Sequence, residues 1–315
     1  MQSLYSHLLR YDGAEWRHAV ETLVAEIHPV DRDATRIWFA FFPLELHQAL
    51  EAAPDYDTAV RELRLMGKWR LADQINESHR FLYGHRYWPQ VKLAIETTDR
   101  LPDSLAELIT VFAEAATRRA RVDREHLLGI TSAGLMTLRQ VGVETFAATA
   151  AKIELSIEAR AITPHQVLAR RAKDDWQGVL GFARGVMKRW TVTFDENEPR
   201  ATFPVINGQE IASAAREDRR EYRGRDSRCT PGEGPIPVEC RAGSCGTCWV
   251  GVLGGREKLS PVSARDEAKP MSIFGYVKTE EPQPLIRLAC QAKALGAVSV
   301  VIPPWNGFIG KLTAY

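Results

Sequence analysis

Three cysteines, Cys240, Cys245 and Cys248, stand at the spacing C-x4-C-x2-C, and a fourth, Cys290, follows 42 positions after the last of them. Thiolates are soft ligands that select zinc or iron–sulfur clusters. Zinc sites usually pair two C-x2-C knuckles. One C-x4-C-x2-C run with a distant fourth cysteine is instead the spacing of a [2Fe-2S] centre. The residues between the cysteines suit that demand. Gly243, Gly246 and the small Ala242, Ser244 and Thr247 let the backbone wrap tightly enough for its N–H groups to face sulfur. The candidate ligands are therefore Cys240, Cys245, Cys248 and Cys290. Cys229, upstream, is left as an unpaired loop thiol, an alternative ligand or a redox thiol.

The five cysteines lie between positions 229 and 290, and all eight histidines lie at or before His165. That segregation points to two modules, which a 315-residue chain has the length to build at about 150 residues per domain. Residues 1–189 read as an all-helical domain. Ser104 and Glu107 form a capping box before the stripe Leu105, Leu108, Ile109, Phe112 and Ala116. Thr163 and Gln166 form another, with Pro164 at the first helical position. From there Leu168, Ala172, Trp176, Val179, Ala183, Met187 and Trp190 predict one helix of roughly seven turns. Shorter helical patterns fall at about 14–27, 31–52, 57–66, 69–78, 87–98, 123–140 and 143–159, with no strand before 190. After Trp190 the pattern turns to strands at 190–194, 201–206, 249–253 and 296–302, with a short helix at 208–218. Residues 190–315 thus read as an α+β domain with a C-terminal extension.

Residues 190–304 resemble a plant-type [2Fe-2S] ferredoxin domain of β-grasp fold. The likeness runs through the leading hairpin, the helix, the loop ECRAGSCGTC, the strand WVGVL and the closing RLACQ. It implies Cys240 and Cys245 on one iron, Cys248 and Cys290 on the other, and one electron carried per cycle. Two stretches are longer than the family usually has: Arg219–Glu239, and the interval to Cys290, which places an inserted loop at Leu259–Pro284. The tail carrying Trp305 and Phe308 runs past the expected end of the fold and is expected to pack on the chain's own surface.

Charge and motifs exclude several classes. With 41 basic and 40 acidic side chains the net charge is +1, so nucleic acid is not an expected partner. The longest strongly apolar run, Ile37–Leu46, is far short of the ~20 residues a membrane helix needs. With no secretory pattern at the start, the expected location is the cytoplasm. No G-x-G-x-x-G follows a strand and no phosphate-binding G-x4-G-K-[ST] occurs, so flavin or nicotinamide binding is not expected.

The expected role is one-electron transfer, with the helical domain docking a redox partner, either an upstream reductase or a downstream acceptor. The alternative is a self-contained redox enzyme whose helical domain binds haem or a non-haem metal. Haem needs an axial imidazole, for which His28, His79, His85 and His126 are candidates, and a helical domain served by a ferredoxin faintly resembles haem oxygenase. A di-iron carboxylate site needs two E-x-x-H pairs. Glu15 with His18 supplies one, and Asp123 with His126 only approximates the second.

Overall fold

The computed structural model describes residues 1–42, 44–174, 188–262 and 283–306. The chain divides into two compact units: Met1–Ala49 with Arg70–Leu168, and Leu50–Trp69 with Ala169–Tyr315. The second unit therefore takes in two segments, 50–69 and 169–189, from the region that the sequence pattern reads as part of the helical domain.

The first unit is helical. Its long elements are Gly13–Leu23, Arg32–Phe41, Trp88–Thr97, Leu105–Ala120 and Leu128–Ala148. The last is almost wholly buried from Leu128 to Arg139, and it packs against Gln2–Leu8, Arg32–Phe41, Trp88–Thr97 and Leu105–Ala120. Gly129 and Gly134 permit that closeness, since a Cβ on Gly134 would sit 2.8 Å from Ile95 and 3.0 Å from Trp88. The predicted break near 140 falls at Gly142, whose φ of 80° kinks this helix. At Thr163 the box forms as predicted: its N–H donates to Gln166 Oε1 and its Oγ1 accepts from the Gln166 amide. The helix Leu105–Ala120 also forms, but the Ser104 side chain makes no capping bond.

Other expectations fail here: the pattern at 31–52 breaks at Phe42, and that at 143–159 ends at Ala148 and resumes only at Ile157–Ala161. Residues 69–78 form a 3-10 turn, Leu71–Gln74, and further turns rather than an α-helix. The seven-turn helix predicted from 164 stops at Arg170, because Ala172 sits at φ 49°, outside helical geometry. Its continuation through 175–187 lies outside the described residues. A strand does precede 190: Met66–Gly67, here β1. Among the described residues no helix is long and apolar enough to cross a membrane.

The second unit contains a mixed five-stranded sheet in the order β3-β2-β6-β4-β5. Its strands are β2 (Arg189–Thr193), β3 (Thr202–Ile206), β4 (Trp249–Gly254), β5 (Ile286–Leu288) and β6 (Val298–Val301). β2 and β3 form the predicted hairpin, β2 pairs in parallel with β6, and β4 pairs antiparallel with both β6 and β5. Both faces of β4 are covered, which explains why WVGVL reads as continuous rather than alternating hydrophobicity. The helix Ile211–Ala215 packs on β3, completing a β-grasp arrangement. β7 (Trp305–Asn306) leaves this sheet and pairs with β1. Trp305 is fully buried there, so the tail packs on its own unit as expected, while Phe308 lies outside the described residues. Most of the predicted insert at 259–284 also lies outside them.

Candidate metal centre

The segment Cys240–Cys248 contains neither helix nor strand, so its shape comes from individual backbone torsions. Gly243 and Gly246 adopt φ of 72° and 70°, a region glycine enters without steric cost. Arg241 joins them at φ 55°, where a side chain is strained. These turns fold the loop around one sulfur. The amides of Ala242, Ser244 and Cys245 donate to Cys240 Sγ at 3.4, 3.3 and 3.3 Å. Burial opposes ionisation of this thiol, but the bonds from Ser244, Cys245 and Ala242 prevail and bring its pKa down to about 6. Thr247 Oγ1 donates to Cys245 Sγ at 3.1 Å.

The other two candidates come together from separate elements. Cys248 leads into β4 and Cys290 follows β5, and the Ala289 amide donates to the Cys248 carbonyl at 2.9 Å. Both are buried, at 2 % and 7 % exposure, and their thiols share a hydrogen bond. That bond and burial together hold the proton on Cys248. Gln291 Nε2 donates to Cys290 Sγ at 3.5 Å. One sulfur cradled by three amides, another by a hydroxyl, and two facing thiols make a donor set suited to a negatively charged iron–sulfur group.

Access is one-sided. Cys240 and Cys245 are partly exposed. Beside Cys245 lies a cavity of about 280 Å³ lined by Arg61, Arg64, Met66, Glu239 and Thr247. Cys229 does not join the set. It is buried, its Sγ donates to the Pro235 carbonyl at 3.4 Å, and burial pushes its pKa up to about 12. A thiol held protonated in this way is a poor ligand and a poor nucleophile.

The Thr247 contact carries a prediction. A hydrogen bond to a ligand sulfur stabilises the more negative, reduced cluster. Thr247→Ala should therefore lower the reduction potential, by roughly tens of millivolts, at unchanged iron content. A potentiometric titration followed by electron paramagnetic resonance measures it, and an unchanged potential would refute the contact's role.

In the helical unit the four candidate histidines fall into two pairs. His79 and His85 are buried, with their Nδ1 atoms 3.0 Å apart. Burial lowers both pKa values, that of His85 to about 4 with Arg80 and Arg86 contributing. His28 and His126 lie with ring centroids 4.4 Å apart and their planes tilted by 43°, and Glu125, which the sequence pattern did not single out, approaches both. Burial lowers these two histidines as well. Glu15, half of the E-x-x-H pair, instead caps a helix: it accepts from the Asp12 amide and donates its own amide to Asp12 Oδ1, both at 2.8 Å. The pattern Asp12-x-x-Glu15 is the sequence signal for that reciprocal box.

Residues 230–295 match the model of the 2Fe-2S iron-sulfur cluster binding domain. No curated protein and no solved structure matches the chain. The matched segment spans the cluster loop, β4, β5 and Cys290, so the C-terminal part of this protein is a ferredoxin-type domain that carries a [2Fe-2S] cluster.

Proposed function

We propose that this protein is a cytoplasmic one-electron carrier whose cluster is held by Cys240, Cys245, Cys248 and Cys290, and whose helical unit docks a redox partner. The observation that carries the ligand reading is the three-amide cradle on Cys240 Sγ. Such donors favour a thiolate over a thiol and add stabilisation as the cluster gains an electron. The partly exposed pair Cys240 and Cys245 gives the electron a short route to the surface, and the buried pair anchors the cluster to β4 and β5. A reducing compartment would keep all five thiols available for cluster assembly.

The experiment is the visible absorption spectrum of the purified protein, as isolated and after dithionite, with iron and acid-labile sulfide counted on the same sample. Equal iron and sulfide, with visible bands that bleach on reduction and no Soret band, is the expected result. A Soret band would replace the carrier reading with the haem enzyme, and would require one of the four histidines to leave its present partner.

A further inference from the structure

The helical unit brings His28, Glu125 and His126 to one point. Glu125 Oε1 lies 3.9 Å from His28 Nε2 and 3.8 Å from His126 Nε2, and one ligand atom from each residue lies within 4.8 Å of the others. These separations are too long for hydrogen bonds, so the donors face one another without bonding. The meeting is fixed by main chain rather than by chance rotamers. The His28 amide donates to the Glu125 carbonyl at 3.0 Å. The turn Arg124–His126 is closed by the His126 amide on Asp123 and the Leu127 amide on Arg124, at 3.1 and 2.8 Å, and leads into the buried helix Leu128–Ala148.

We propose that these three residues form a second metal site, for a divalent first-row transition ion such as zinc(II). Two imidazoles and one carboxylate are a borderline donor set, too nitrogen-rich for calcium or magnesium and lacking the thiolates of softer sites. Bond lengths of about 2.0–2.2 Å place neighbouring donors roughly 3–3.5 Å apart, so the two gaps to Glu125 must close by roughly half an ångström to an ångström and the two rings must also draw together from within 4.8 Å. Glu125, at 46 % side-chain exposure, has the freedom to close its own gaps. A cavity of about 470 Å³, lined by Tyr83, Tyr87, Thr117, Arg121, Asp123 and His126 among others, abuts the site through His126. Open coordination positions would face that space, as in metal sites that bind a small ligand. Loading has one local cost. The Val30 amide donates to His28 Nδ1 at 3.2 Å, and coordination through Nε2 moves the ring proton to Nδ1 and displaces this contact.

The test is equilibrium dialysis of the full-length, cluster-bearing protein against zinc(II), with zinc and iron per chain measured by elemental analysis. One zinc per chain at undiminished cluster iron is expected. Glu125→Gln should weaken it by at least about tenfold and His126→Ala should abolish it, while Glu114→Gln leaves it unchanged. Helical circular dichroism and the visible spectrum of each variant establish that it is folded, and the near-isosteric Glu125→Gln keeps the test decisive if His126→Ala is not. No saturable zinc, zinc taken up only with loss of cluster iron, or equal binding by wild type and Glu125→Gln would each overturn the site.

Discussion

Serine in place of Cys248 or Cys290 should strip the cluster almost completely, whereas Cys229→Ser should keep full iron and sulfide content. The two ligand candidates share a hydrogen bond between their thiols in the buried wall of the site, so a serine there leaves an iron with a hard, poorly ionised oxygen in an apolar setting. Cys240→Ser and Cys245→Ser should also lose the cluster. Their positions are partly exposed, so partial retention of a distorted cluster is the mildest result consistent with the assignment. Cys229 is a different case: a hydroxyl can donate to the Pro235 carbonyl as the thiol does. Loss of the cluster in that variant would reassign the ligands.

The consequence reaches beyond iron. From Glu217 to Cys248 the chain has no helix or strand, and arginines punctuate it at 219, 220, 223, 225, 228 and 241. Bonds from Cys240, Cys245 and Cys248 through iron to Cys290 would cross-link this stretch to the sheet, so metal binding there contributes folding free energy. Trypsin should therefore cut the Cys248→Ser and Cys290→Ser proteins in this segment much faster than wild type or Cys229→Ser, as read on a gel against intact mass. Equal cleavage in all four would show that ion pairs such as Arg220–Asp218 and Arg228–Asp226 suffice to hold the loop.

What could be read from the sequence is what depends on neighbours along the chain. The cluster loop is legible because ligand spacing and the two glycines at positive φ are local requirements. So are the β2–β3 hairpin and the Thr163 box, each set within a few residues. The failures are long-range or depend on a single torsion. Nothing near Met66 or Trp305 announces that β1 and β7 pair, with Met66 opposite Asn306 and Gly67 opposite Trp305. The apolar stripe from Leu168 to Trp190 has helical spacing, yet Ala172 turns left-handed, its amide donating to Ser299 Oγ on β6. Glu125 is an ordinary surface-type residue in sequence and acquires its place beside His28 through a main-chain bond between segments far apart in the chain.

Acid should destabilise the helical unit well before its carboxylates are protonated. In the folded state His85 titrates at about 4 because it is buried and faces Arg80 and Arg86, and His79 is pushed well below its ordinary value by burial and by His85. Unfolded, both return to about 6.5. Between pH 6.5 and 4 the unfolded chain therefore binds protons that the native protein refuses, and the free energy of unfolding falls as the pH falls. For His85 alone the loss between pH 6.5 and 5 is about 2 kcal/mol, and His79 adds in the same direction. Against a typical domain stability of about 5–15 kcal/mol this is a large fraction. The geometry explains why the native state cannot accommodate the charge. The two Nδ1 atoms are 3.0 Å apart with room for one proton between them, so protonating both rings sets two N–H groups head to head in a dry interior. Urea titrations followed by helical circular dichroism at pH 7, 6 and 5 give the slope, with the visible bands recorded separately to follow the cluster. His85→Gln should flatten the slope by roughly the His85 share while lowering stability at pH 7, since it disrupts the bond to His79. A wild-type stability unchanged from pH 7 to 5 would mean that the pair accepts protons in the folded state and that the buried contact opens readily to water.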